Sequence, residues 1–143
     1  MTIADPPRVT PEQLQELLSH ETAFTKDYQF VVAAVGSGSC TLEVPHLPRF
    51  ERPGGIASGQ VLMTAADVAM WLAIKTLRGL DDPSVTSHMQ THFLRSVRQE
   101  GFSCKAVVLR LGRRTAFGTA ECLSTGGLLL AHHTLTYATP GKG

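Results

Sequence analysis

Pro53-Gly54-Gly55-Ile56-Ala57-Ser58-Gly59-Gln60-Val61-Leu62-Met63-Thr64-Ala65-Ala66-Asp67-Val68-Ala69-Met70 runs from a glycine-rich turn straight into an apolar segment that continues to Leu77. Between Val61 and Leu77 the only charged residues are Asp67, mid-way, and Lys75, near the end. A membrane span needs about 20 apolar residues in a row, and these charges leave no such run. The segment therefore predicts a buried helix of a soluble protein. A helix apolar nearly all round has to be wrapped by other elements, which one curved sheet can do.

The flanks supply that sheet. Upstream, Thr10-Pro11-Glu12 begins a short helix: Thr caps, Pro suits the first helical position, and Leu14, Leu17 and Leu18 make one apolar stripe. Phe30 to Val35 reads as a strand, Gly36-Ser37-Gly38-Ser39 as a turn, and Cys40 to Val44 as a second strand. Pro45 to Pro53 reads as a loop, and Leu80-Asp81-Asp82-Pro83 as another after the helix. Four strand-like runs follow, at about Val85 to Val97, Cys104 to Leu111, Thr115 to Leu123 and Leu128 to Tyr137. Gly101, Gly112-Arg113-Arg114 and Gly126-Gly127 separate them. Runs of strands with one dominant helix indicate an α+β domain, an antiparallel sheet covering an apolar helix. With 143 residues, one domain is expected, with loose tails at 1–9 and 140–143.

Composition narrows the function classes. The chain is 43% hydrophobic and 17% charged, enough for a real core. Thirteen basic residues against twelve acidic ones give a net charge of +1, which argues against a nucleic-acid or anionic-membrane binder. Cys40, Cys104 and Cys122 are widely spaced with no C-x-x-C, as expected of free thiols in a reducing, cytoplasmic setting. The N-terminus lacks the charged and apolar regions of a signal peptide. His88 and His92, on one face of a strand, and the adjacent His132-His133 have no companions at ligand spacing, so no metal site is expected.

Three features remain for chemistry. Asp67 is the only acid between Glu51 and Asp81. A carboxylate in an apolar setting is costly unless paired. It either joins a polar stripe of Thr64, Trp71 and Lys75, meeting water or Lys, or it stands at a cleft as base or nucleophile. Gly59-Gln60 opens the helix, where free N–H groups and the helix dipole favour a carbonyl oxygen or oxyanion. Gly59 and Asp67 are eight residues apart. That is about 12 Å along one helix, too far for one reacting carbon but within reach if two subunits lay their helices side by side. Third, Arg95, Arg98, Lys105, Arg110, Arg113 and Arg114 make a local basic region opposed only by Glu100. It is either a solvated strand edge or an anion site for phosphates.

The run from Pro53 to Met70 resembles the signature of the phenylacetate-degradation (PaaI-type) hotdog thioesterases, roughly G-x-x-H-G-G-x-x-x-x-x-x-D-x-A. Val85 to Arg95 resembles that family's T-x-x-x-x-x-x-F-L-R strand, and Leu111-Gly112-Arg113-Arg114 its G-R-R turn. The likeness covers about Phe30 to Tyr137. It implies a hotdog fold, a curled antiparallel sheet around a long central helix. It also implies a homodimer joined sheet edge to sheet edge, or a homotetramer, that hydrolyses acyl-CoA thioesters without a cofactor at a site shared by two subunits. By this resemblance Asp67 is the catalytic carboxylate, Gly59 of the partner subunit polarises the thioester carbonyl, and Thr86 is the assisting strand hydroxyl. The family's His falls at Ser58, its second Gly at Gln60 and its upstream Asn at Arg52, which implies altered substrate choice. Ser58, Gln60, Arg52, Trp71 and Met70 are expected to contact substrate, with Met63 near the acyl pocket, and Arg95, Arg113 and Arg114 to meet CoA phosphates. The alternatives are a hotdog hydratase or dehydratase and a non-catalytic acyl-CoA-binding protein.

Overall fold

The computed structural model describes residues 5–140. Of the expected tails, residues 1–4 and 141–143 lie outside the described residues. Within the N-terminal one, Val9 is buried and the Arg8 N–H donates to the Thr76 carbonyl (2.8 Å), so this part is held against the core.

The first helix, α1 (Pro11–Glu16), starts as expected: Thr10 Oγ1 accepts the Gln13 N–H and the Gln13 side chain accepts the Thr10 N–H, a capping box. It runs into a π-helical turn, Leu17–Glu21, and the predicted stripe holds, with Leu14 and Leu18 buried and Leu17 packed on the core. Strands β1 (Val31–Gly36) and β2 (Ser39–Val44) form the predicted hairpin. The stretch expected as a loop, Pro45 to Pro53, contains β3 (Glu51–Arg52), which pairs with β4 (Ile56–Ala57) just beyond it in a small hairpin. Its turn uses Gly54 and Gly55 at φ 101° and 74°, a region costly for other residues.

The predicted long helix is α2 (Gly59–Arg78), capped by Ser58 and ended by Gly79 at φ 103°. After it come β5 (Val85–Phe93), β6 (Phe102–Leu111), β7 (Thr115–Ser124) and β8 (Leu129–Ala138). Strand β5 stops at Phe93, short of the expected Val97, where the N–H groups of Leu94 and Arg95 both turn to the Leu130 carbonyl. One antiparallel sheet results, in the order β1-β2-β6-β7-β8-β5.

The sheet wraps α2 because its inner face is floored with small residues. Cys104, Ala106, Ala116, Ala120, Cys122 and Ala131 are all buried on β6, β7 and β8. Leu62, Leu72, Ile74 and Leu77 of the helix fill the remaining space with Leu42, Leu130 and Leu135. The helix is long and apolar enough to cross a membrane, yet 72% of its most apolar 18-residue window is buried inside the protein. Gly118 on β7 leaves no room for a side chain, since an added Cβ would meet the Val107 carbonyl oxygen of β6 at 2.2 Å and Met70 Cε of the helix at 2.6 Å. Gly118→Ala is therefore expected to cost about 2–3 kcal/mol, the upper range for an extra methyl in a packed core. An unchanged midpoint in urea denaturation would contradict this packing.

Candidate functional site

Asp67 lies on the face of α2 that reaches the seam between β8 and β5. The expected partner Lys75 is engaged elsewhere: its Nζ donates to the Leu80 (2.8 Å) and Asp82 (3.0 Å) carbonyls and sits 4.8 Å from the centre of the Trp71 ring. Burial pulls the Lys75 ammonium below the usual lysine range, against the opposing charges of Asp82 and Asp81. Thr64 bonds back to the Gln60 carbonyl. Asp67 is met by two hydroxyls instead. Thr86 Oγ1 donates to Oδ1 at 2.7 Å, and the Tyr137 hydroxyl stands 2.6 Å from the same Oδ1 and 2.8 Å from the Asp67 carbonyl.

A β-bulge makes the first of these contacts. Along β5, Thr91 faces inward to His133, and strict alternation from there would turn Thr86 outward with His88, Gln90 and His92. The register shifts between Thr86 and His88, so Ser87 is an extra residue and Thr86 lies directly opposite Tyr137. Residues directly opposite share a face, and the bulge thus aims Thr86 at Asp67.

Tyr137 was not singled out by the sequence, where it reads as the last aromatic of a strand. It is 3% exposed. Burial, then the negative charge of Asp67 and the hydrogen bond to it, push its phenol well above the usual tyrosine range, so it stays a donor. Asp67, Thr86 and Tyr137 line an opening of about 250 Å³ with Phe24, Val68, Trp71, Val85, Thr22 and Ser84. Trp71 lines this opening. Met70 does not: it is 1% exposed and packs against Gly118 in the sheet, because it projects from a different side of α2 than Asp67.

The start of α2 faces separate openings. Gly59 lines one of about 440 Å³ with Arg52, Ile56, Phe93 and Arg95. A Cβ at Gly59 would meet the Phe93 ring at 3.0 Å, so glycine here permits the ring's close approach. Ser58 Oγ accepts the Gln60 N–H at 3.3 Å as the N-cap, which leaves the Gly59 N–H without a partner among the described residues. Arg52, Ser58 and Gln60 share a neighbouring opening of about 430 Å³.

The three arginines expected at phosphates are not together within one chain. Arg95 is at the start of α2, whereas Arg113 lines an opening at the helix's other end with Arg8, Leu77 and Arg78. Arg114 is exposed beside it on the β6–β7 turn. The 20 residues of α2 separate these ends by about 30 Å.

A second polar cluster lies inside the sheet. His133 is fully buried, with Nδ1 2.8 Å from Thr91 Oγ1 and Nε2 3.5 Å from Cys122 Sγ. The hydrogen bond between Cys122 and Cys104 is the main cause holding the Cys122 thiol down to about 6, and His133 adds to it; Cys104 is pushed well above the usual range. His132 pairs with Glu121 on the outer face (3.1 Å). Among the described residues no group of three His, Cys, Asp or Glu is placed to hold a metal ion.

A family model described as "Thioesterase superfamily" matches residues 54–131. Among solved structures, the chain is similar to a conserved protein of Pseudomonas aeruginosa, at 26% identity and TM-score 0.81 over 92% of this chain and 100% of that one. Thioesterase superfamily member 2 of zebrafish matches at 20% identity and TM-score 0.84, over 92% and 99%. A hypothetical thioesterase protein of Streptococcus pneumoniae, solved with coenzyme A, matches at 20% identity and TM-score 0.73, over 79% and 87%. The long helix in a curled six-stranded sheet is the hotdog fold of these proteins. The family match runs from the glycine turn before α2 through Asp67 and on to Ala131 in β8, more than half of the sequence, and the chain belongs to the thioesterase superfamily.

Proposed function

We propose that the protein is an acyl-CoA thioesterase of the PaaI type, cleaving a small-to-medium or aromatic acyl-CoA to free acid and CoA. The observation that carries this reading is Asp67, a carboxylate with two hydroxyl donors in a pocket walled by Phe24, Val68, Trp71 and Val85. Such walls suit an acyl group, and a carboxylate oriented beside them is placed to act on its thioester. The motif likeness from Pro53 to Met70 supports the PaaI-type branch, and a fold relative solved with coenzyme A supports the CoA half of the substrate. All three cysteines are free and buried, which suits the cytoplasm.

In this reading Asp67 takes a proton from water while the oxygen attacks the thioester carbonyl carbon. The oxyanion that forms is held by the Gly59 N–H of the partner subunit. Collapse breaks the carbon–sulfur bond, and the CoA thiolate leaves and regains the proton. Direct attack by Asp67, through a mixed anhydride, reaches the same products. A single turnover in ¹⁸O-labelled water identifies an anhydride that water opens at the Asp67 carboxyl carbon, because that route puts the label on Asp67 and leaves unlabelled oxygen in the first product acid. Among the described residues the edge strand β5 pairs only with β8, so its outer backbone groups are available to join a second copy. The partner's helix start then completes a site that one chain cannot. Arg95 at that helix start and Arg113 and Arg114 at the far end of α2 are the proposed cations for CoA phosphates, and Arg52 beside Arg95 meets the substrate.

Two measurements test this. With a panel of acyl-CoAs and a thiol-reactive dye, Asp67→Asn is expected to lower kcat/KM by roughly a thousandfold while the fold persists, within the range for a lost general base. Equal turnover by both proteins would end the assignment. Tight binding without thiol release would make the protein a binder, and an absorbance change on an enoyl-CoA would make it a hydratase.

The shared site is tested by complementation. Relative to Gly59→Ala, which adds the same Cβ against Phe93 but keeps the N–H, Gly59→Pro removes the N–H at a helix position that tolerates proline, and should cost about 10²–10³ in rate. Co-expressed with Asp67→Asn, it should restore about a quarter of wild-type activity, since half of the randomly paired dimers carry one intact site. No recovery in purified mixed dimers would place both groups in one chain.

A further inference from the structure

Resting on the thioesterase reading of Asp67, we infer that Tyr137 is a positioning residue for this carboxylate and that Oδ2 is its reacting oxygen. The geometry is specific. Oδ1 receives Thr86 at 2.7 Å and Tyr137 at 2.6 Å. Both lengths fall at or near the charge-assisted range for a hydroxyl on a carboxylate. A phenol has one hydrogen, and the shorter of its two contacts is the one to Oδ1 rather than to the Asp67 carbonyl at 2.8 Å. Two donors on one oxygen leave Oδ2 as the acceptor for water or substrate, and among the described residues nothing donates to it.

No cation shares this task. The other residues lining the opening, Thr22 and Phe24 before β1, Val68 and Trp71 on α2, and Ser84, Val85, Thr86 and Tyr137 on the sheet side, are all uncharged. Lys75, the nearest lysine along α2, is bound to the Leu80 and Asp82 carbonyls. Among the described residues the carboxylate is thus met by two hydroxyls alone. Tyr137 also spans the backbone and side chain of one residue, which restrains rotation about the Asp67 side chain. Its burial fixes the phenol in place, and a hydrogen bond to the charged form favours that form. Loss of the hydroxyl therefore shifts ionisation of the base to higher pH and leaves Oδ2 free to turn away.

The test is the pH profile of Tyr137→Phe, which keeps the ring and deletes the hydroxyl. Asp67→Asn serves as the reference and thermal melting as the check on folding. Expected are a kcat about tenfold lower, a KM within about twofold, and an acidic limb of kcat/KM about one pH unit higher, the size of one hydrogen bond to a charged group. If that variant fails to fold, 3-fluorotyrosine answers instead. The chain has only two tyrosines, so incorporation into Tyr28→Phe labels Tyr137 alone. Its more acidic phenol is a stronger donor and should move the limb to lower pH. A limb that stays at the wild-type position in whichever variant folds overturns the inference, even with Asp67→Asn inactive. Activity surviving in Asp67→Asn overturns the thioesterase reading itself.

Discussion

Burial of α2 is the constraint on which the rest of the structure depends. Thirteen of its residues are buried, and the sheet accommodates them by offering alanine, cysteine and glycine where most sheets offer branched side chains. The close approach at Gly118 is the extreme case. A helix enclosed this way has no tolerance for stray polarity. Thr64 returns its hydroxyl to the helix, and Lys75 reaches past the helix end to two carbonyls. Asp67 has neither escape. A short carboxylate cannot bond its own helix as a hydroxyl does, nor reach the end as a lysine does, so donors from β5 and β8 meet it where it stands.

That same enclosure divides the chemistry. A straight helix sheathed along its length exposes its start at one opening and Asp67 at another, and no bending of α2 can unite them. On the proposed reading, Gly59, with its free N–H, and Asp67, with its free oxygen, are each half of an arrangement for acyl transfer. The unpaired edge of β5 lies beside the Asp67 opening and carries Phe93 over Gly59 at its far end. On the proposed reading, one edge-to-edge contact then both removes an aggregation-prone edge and completes the site.

Much of this was legible in the sequence. The apolar run with one acid, the Thr10 and Ser58 starts and the glycine turns dictate α2, α1 and the hairpins, because each is a local matter of periodicity and backbone freedom. Asp67 stood out because a lone acid in an apolar helix has to be accounted for. What escaped notice depends on register. Thr86 faces inward only because Ser87 is an extra residue, and its place among the site residues came from the family resemblance alone. Tyr137 enters the site through a partner seventy residues away. Met70 and Asp67, three residues apart on one helix, face different surroundings, and hydrophobicity alone does not say which borders the pocket. The split of Arg95 from Arg113 likewise follows from where β5 and β6 end, which spacing does not disclose.

The contrast between the two inward-facing polar clusters shows what separates structure from chemistry here. Thr91, His133, Cys122 and Cys104 form a chain inside the sheet in which both histidine nitrogens are engaged. No fully buried side-chain polar atom lacks a partner among the described residues. Such a network is complete, and its satisfied groups fix the register of β5, β7 and β8 from within. The Asp67 cluster is built from the same kinds of group, yet it is deliberately short by one donor. Oδ1 receives two hydrogen bonds, Oδ2 receives none among the described residues, and Asp67 lines an opening. A core tolerates no such deficit, because an unpaired charge there costs several kcal/mol. It persists at Asp67 because water, or a substrate in its place, supplies the missing contact.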